Sequence, residues 1–266
     1  EATAAAPARH WRFLLAEDSL VGQKLVCALL ERGGHQVVVV GNGKDAVAAA
    51  QAQRFDLVFM DIQMPEMDGW EATARIRAAE KGTGAHVPIV AMTAHAMKGD
   101  RQRCLEAGMD EYLAKPIRPK RLFEVVHGLL GGAGHAESPP EVGAAHEPLP
   151  ENGPVDWSAA LGAVRGDREL LRVLVDTVLE ESPRLIVGIH EAIADKDPAK
   201  LRRLAHTLKG SVNYFGAARL FEQAYRLERM GQEGRTPDGP DALGELESEL
   251  AQFAAALRNY RRRGSG

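Results

Sequence analysis

Cysteine is scarce in this chain, with two in 266 residues. Cys27 and Cys104 fall in segments with helical patterning and match neither a metal-binding nor a disulfide spacing. That excludes a disulfide scaffold or a zinc module and leaves plain packing in a reducing compartment, most naturally the cytoplasm. An excess of one charge is also lacking. Lys and Arg number 33 against 37 Asp and Glu, for a formal net charge of −4, so no broad basic field calls for nucleic acid. No apolar run approaches the roughly 18 to 20 residues needed to cross a bilayer, and the Ala-rich start has no signal-peptide core. A parent protein anchored in the inner membrane is compatible with this, the anchor then lying outside the stretch. No G-x-x-x-x-G-K-[ST] loop and no kinase glycine-rich loop are present. The sequence begins at Glu1 without Met and ends in GSG, and is expected to be a piece of something longer.

What is present divides into two unlike halves, as about 150 residues per domain suggests. After a small polar segment at 1–9, short apolar runs at 13–16, 37–40, 57–60, 89–92 and 112–114 alternate with amphipathic patterns at 19–32, 43–53, 69–80, 99–107 and 118–130. Four-residue runs rich in branched and aromatic side chains read as buried strands. Five of them alternating with helices predict an α/β domain over 10–130, a doubly wound parallel sheet covered on both faces. From 131 to 154 ten of 24 residues are Gly or Pro. Such a segment cannot pack a core and is expected to be a flexible linker with a span of about 27 Å. Beyond it no strand signal remains. Asp167, Ser182-Pro183 and Asp197-Pro198 each read as a helix start, further helical patterns occupy 217–230 and roughly 241–261, and an antiparallel helical bundle is expected over 155–262, with 263–266 as a tail.

Ligands of an open parallel sheet bind beyond the carboxyl ends of its strands, and this rule gathers the polar residues of the first half. Glu17 and Asp18 follow the first predicted strand, Asp61 ends the third, Thr93 the fourth and Lys115 the fifth. Crowded carboxylates repel, and a hard divalent cation is the expected relief; Mg²⁺ fits because it keeps several waters and needs few carboxylates. Lys115 can pair with Asp61 and then with phosphoryl oxygens, and the Thr93 hydroxyl can donate to one of them. Positioning and charge neutralisation are what phosphoryl transfer chiefly needs.

The acidic pair Glu17-Asp18, the string MDIQMPEMDG around Asp61, Thr93-Ala94 and Lys115-Pro116 together resemble a response-regulator receiver domain in order and spacing. The resemblance implies a flavodoxin-like fold with Asp61 as phosphoacceptor. It also implies that Asp18, Asp61 and the backbone carbonyl of Gln63 bind Mg²⁺ directly and that Glu17 acts through water. It further implies a cis Lys115-Pro116 bond and a switch pair of Thr93 with the aromatic Tyr112. Glu17 stands where many members have Asp, which keeps the charge.

In the second half, Leu201, Leu204, Ala205, Leu208, Val212 and Phe215 make one apolar stripe on a helix. At 100° per residue His206 points roughly 140° away from the stripe's centre, so it is expected to face water, with Lys209, Gly210 and Asn213 on the same side. A glycine inside a helix costs about 1 kcal/mol relative to alanine, and here it suggests room for another protein to approach. The string AHTLKGS, with Gly216 beyond it, resembles the histidine phosphotransfer domain, which implies that His206 is a phosphoacceptor assisted by Lys209 and Gly210. The other eight histidines, His10, His35, His86, His95, His127, His135, His146 and His190, read as solvated.

Together the two resemblances predict a phosphorelay segment of the kind found in the C-terminal part of a hybrid sensor histidine kinase, a transferase whose kinase core lies elsewhere. Asp61 takes a phosphoryl group from a kinase phosphohistidine with Mg²⁺, and His206 relays it to a downstream response regulator. The expected partners are a histidine kinase core, in the same parent chain or separate, that regulator, and the chain's own receiver against its own bundle. A second class of reading is a phosphorylation-gated binding module that controls an associated kinase. A phosphatase using two aspartates is disfavoured because Gln63 occupies the position a second carboxylate would need.

Overall fold

The computed structural model describes residues 10–93, 98–131, 153–237 and 243–263, with only the backbone for 98–101. The expected linker residues 1–9 and 132–152, the end of the tail, Ala94 and three of the histidines (His95, His135 and His146) lie outside these. Five strands, β1 (Arg12–Ala16), β2 (Gln36–Val40), β3 (Leu57–Asp61), β4 (Ile89–Thr93) and β5 (Glu111–Ala114), form one sheet in the order β2-β1-β3-β4-β5. Every pairing is parallel. Between and after them run α1 (Leu20–Arg32), α2 (Gly43–Ala52), α3 (Gly69–Glu80), α4 (Lys98–Glu106) and α5 (Pro119–Leu130).

Successive strand side chains point to opposite faces, and the core divides accordingly. Phe13, Leu15, Leu57, Phe59, Val90 and Met92 share one cluster with α1 and α5 residues. Leu14, Ala16, Val58, Met60, Ile89 and Ala91 share another that includes Ala46 and Val47 of α2 and Ala72 and Ile76 of α3. The central strands β3 and β4 are buried along their whole length. Both cysteines sit in helices as expected; Cys104 is buried, and burial pushes the half-buried Cys27 thiol up to about 11. His35 departs from its solvated reading. It is half-buried beside Trp11 and Phe13, and burial, reinforced by His10 and His127, lowers its pKa.

The second half is helical: α6 (Trp157–Ala163), α7 (Arg168–Ala194), α8 (Pro198–Asn213), α9 (Ala218–Gln232) and α10 (Gly244–Arg263). The side chains of Asp167 and Asp197 cap α7 and α8 by accepting from backbone N–H groups. The expected helix start at Ser182-Pro183 is not there. Pro183 lies inside the continuous 27-residue α7, and Ser182 directs its hydroxyl back to the Val178 carbonyl. Helix α6 went unpredicted. It is seven residues long, too short to show a period, and is pinned by the Asp156 cap and by Trp157 stacked on Tyr260 of α10, ring centroids 4.4 Å apart. Gly216 explains its own presence: its φ is +59°, and a Cβ there would lie 2.6 Å from the Asp156 Cβ, which packs the end of α8 against the start of α6.

The two halves touch. Helix α1 lies against α7 and α8, Arg32 pairs with Asp167, and the Arg165 guanidinium sits 5.9 Å from the Phe123 ring centre. The α1/α5 face of the sheet unit and the core of the helical unit form one continuous apolar cluster. Among the described residues no helix is long and apolar enough to cross a membrane.

Candidate functional site

At the carboxyl end of the sheet the predicted residues converge. Glu17, Asp18 and Asp61 present carboxylate oxygens within 4.8 Å of one another. Lys115, beyond the end of β5, reaches back with its Nζ 2.6 Å from Asp61 Oδ2 and 2.7 Å from Glu17 Oε2. The peptide bond Lys115-Pro116 is cis, and the Lys115 N–H donates to the Thr93 carbonyl at 2.7 Å. Gln63 donates its N–H to Asp61 Oδ1 at 3.2 Å. Thr93 is buried at the end of β4, and Tyr112, half-buried on β5, stands beside Ala91 in the sheet. The glycine of the MDG string is a packing requirement, since a Cβ on Gly69 would come within 2.2 Å of the Asp61 carbonyl. Its absence lets α3 start hard against the end of β3.

The electrostatics of this cluster are those of a cation site. Burial first, then Asp61 and Asp18, push Glu17 up to about 8 even though Lys115 opposes them. Asp18 is likewise raised by burial and by Asp61. Burial alone would lower the pKa of Lys115, but Asp61 and Glu17 outweigh it and hold the amine well above its ordinary value. Asp18 Oδ1 is buried and has no hydrogen-bond partner. An orphaned carboxylate oxygen beside two further carboxylates suits a hard, oxygen-seeking divalent ion. These residues therefore fit Mg²⁺.

On α8, His206 is where the sequence put it but is not exposed. It is 4% accessible, which corrects the solvent-facing expectation. The expectation considered only the stripe on α8, whereas α9 of the same bundle reaches the imidazole. Its Nδ1 is 2.7 Å from Glu228 Oε1 of α9. Lys209, also expected on an open face, is 2% accessible, with its Nζ 2.5 Å from Glu228 Oε2 and over the rings of Phe221 and Tyr225. Burial alone would raise Glu228, but the His206 hydrogen bond and the Lys209 charge outweigh it and hold the carboxyl at about 2. An ionised carboxylate can only accept, so His206 Nδ1 carries a proton and the lone pair of the neutral ring is on Nε2.

The two sets of residues meet. Glu17, Asp18, Ser19 and Lys115 from the sheet unit line one narrow cavity together with His206, Thr207, Gly210 and Tyr214 from the helical unit. Thr207 donates its hydroxyl to Asp18 Oδ2 at 2.8 Å. A methyl group placed on Gly210 would meet nothing within 4 Å, so the glycine does leave open space beside the imidazole.

Sequence comparison bears on both halves. The family model described as the response regulator receiver domain matches residues 13–127, and that of the Hpt domain matches residues 173–256. The chain is a receiver domain followed by an Hpt domain. The signal transduction histidine-protein kinase BarA of Escherichia coli K12 is 32% identical over 254 residues, 95% of this chain and 27% of that protein. The sensor protein GacS of Pseudomonas syringae is 34% identical over 248 residues, 93% of this chain and 27% of that protein. The chain thus spans about a quarter of the length of these relatives. The crystal structure of the receiver domain of the sensor histidine kinase PA1611 of Pseudomonas aeruginosa, with a magnesium ion in its active-site cleft, is 42% identical. It covers 47% of this chain and 100% of that one, with a TM-score of 0.43.

Sequence reasoning missed several residues of this receiver–Hpt site: Glu228, Thr207, Tyr214, Ser211 and Glu181. Two carried a signal. Glu228 occupies the buried stripe of α9 with Leu220, Ala224 and Leu227, and Glu181 that of α7 with Leu174, Val178 and Leu185. A carboxylate inside an apolar stripe needs a partner.

Proposed function

We propose that this chain is the phosphorelay segment of a hybrid sensor histidine kinase, in which Asp61 and His206 are the two phosphoacceptors. The observation that carries the reading is the shared cavity, which sets the Asp18 and Lys115 side chains of the receiver beside His206 of the Hpt domain. A kinase phosphohistidine, from the parent chain or another, supplies the phosphoryl group to an Asp61 carboxylate oxygen. Asp18, Asp61 and the Gln63 carbonyl would hold Mg²⁺, with Glu17 acting through water; the ion supplies neutralisation of the charge shared by carboxylate and phosphoryl group. Lys115, already 2.6 Å from Asp61 Oδ2, stays with the oxygens as their charge grows, and Thr93 with Tyr112 forms the switch.

In the second transfer the His206 Nε2 lone pair forms a bond to phosphorus while the bond from phosphorus to the Asp61 oxygen breaks, and the aspartate leaves as carboxylate. Glu228 holds the Nδ1 proton throughout, so the ring gains charge toward a carboxylate built to receive it. Lys209 and Gly210 serve by keeping Glu228 charged and by leaving room beside the ring. A separate response regulator then takes the phosphoryl group from His206.

Radiolabel from a donor histidine kinase tests this. Asp61→Asn is expected to abolish label on the receiver and on His206 together, whereas His206→Gln keeps label on Asp61 and stops its passage to a regulator. If His206 takes no label from a chain whose Asp61 is charged, the relay is wrong and a gated binding module takes its place.

A further inference from the structure

Among the contacts between the receiver and the Hpt domain is a buried polar chain that the transfer chemistry does not use. Ser19 is the N-cap of α1, and Leu20 is that helix's first residue. The first N–H groups of a helix have no partner within it. The Leu20 N–H donates across the interface to Glu181 Oε1 at 2.9 Å, and the other oxygen, Oε2, accepts from the Ser211 hydroxyl at 2.7 Å. Ser211 Oγ lies 3.0 Å from Ser19 Oγ. The single hydrogen of Ser211 is shared between Glu181 Oε2 and the Thr207 carbonyl, 3.0 Å away, so Ser19 is the donor between the two serines. Glu181 is 6% accessible, and Ser19 and Ser211 are buried too. A carboxylate buried at a domain boundary is costly unless it is bonded, and half of this one's bonding comes from the receiver.

We propose that Glu181 is the docking determinant of the Hpt domain: it reads the unpaired N–H at the start of a receiver's helix α1, and the receiver it recognises here is the chain's own. Docked in this way, the receiver closes over His206, and a separate regulator reaches that histidine only after the contact is released. The idea rests on the reading of His206 as the exit nucleophile, but it can be tested without any phosphate.

The reagent is diethyl pyrocarbonate, applied to the unphosphorylated full chain, with modification of His206 followed by peptide mass spectrometry. Two variants remove opposite ends of the bond. Glu181→Ala removes the acceptor. Leu20→Pro removes the donor with little harm to α1, because proline is favoured at the first helical position and Ser19, at φ −78° and ψ 124°, already has the extended backbone that a following proline demands. A hydrogen bond to a charged group is strong enough that its loss should speed His206 modification by roughly tenfold or more. Glu181→Gln keeps an acceptor for the Leu20 N–H and should fall between. Far-UV circular dichroism shows which variants are folded, and the Leu20→Pro result stands if Glu181→Ala unfolds the bundle. The proposal is overturned if folded Leu20→Pro leaves His206 as slow to react as in the parent sequence, or if His206 of the parent sequence already reacts as fast as a free imidazole. Failure of phosphotransfer would change neither outcome, which separates this claim from the relay.

Discussion

Glu228 is the residue on which the phosphotransfer helix depends. It serves two donors at once, the His206 Nδ1–H on one oxygen and the Lys209 ammonium on the other, in a site where all three side chains are at most 6% exposed. Removing one partner from such a site leaves a buried charge without compensation, which costs about 3–5 kcal/mol. Glu228→Ala is therefore expected to lower the unfolding free energy by about that amount, read from urea denaturation, with Glu228→Gln losing less because it still accepts from His206 Nδ1. The pH dependence follows from the depressed carboxyl. Its folded pKa of about 2 lies below the ordinary 4.5, so between these values the unfolded chain binds more protons. Stability from Glu228 is thus complete above about pH 5 and drains away as the pH falls toward 2. In Glu228→Gln that acid loss should shrink; an unchanged acid limb would show that the carboxylate is not ionised in the fold.

At the scale of elements, the α/β half was legible almost to the residue, and the reason is physical. Its strands are short apolar runs, the central β3 and β4 buried on both faces, and its helices start at side-chain caps such as Ser19, Asn42 and Asp68 that accept from the first turn. The helical half was read less well where a local signal lost to packing. Ser182-Pro183 is a good helix start by its chemistry, yet α7 runs through it, because Leu174, Val178 and Leu185 on either side belong to one buried face. The helix carries a proline that cannot donate to the Leu179 carbonyl. Pro183→Ala should restore that bond and stabilise the Hpt domain by about 1–3 kcal/mol, seen as a higher urea midpoint. A lower midpoint would mean that α7 needs the proline's local geometry to meet its neighbours.

For the whole molecule, the decisive feature was invisible to periodicity. An apolar stripe tells which side of α8 packs in its own bundle; it cannot tell that another domain bonds to residues beside it, as Asp18 does to Thr207 and Ser19 to Ser211. The candidate residues were legible one by one; that Asp18 and Lys115 of one domain share a cavity with His206 of the other was not. That juxtaposition sets the kinetics of the relay. Groups on one chain that can meet face an effective concentration on the order of millimolar, whereas separate chains at about 1–10 µM meet on a scale lower by the ratio of those concentrations. Transfer from charged Asp61 to His206 should therefore be first order and independent of chain concentration. Mixing Asp61→Asn chains with charged His206→Gln chains should label the intact histidine at least about a hundredfold more slowly at such dilution, and at a rate proportional to concentration. Quench-flow with radiolabelled receiver reads both. Equal rates in the mixed and the single-chain experiments would mean that the receiver serving His206 belongs to another molecule, and that the docked arrangement is a resting state outside the path of the phosphoryl group.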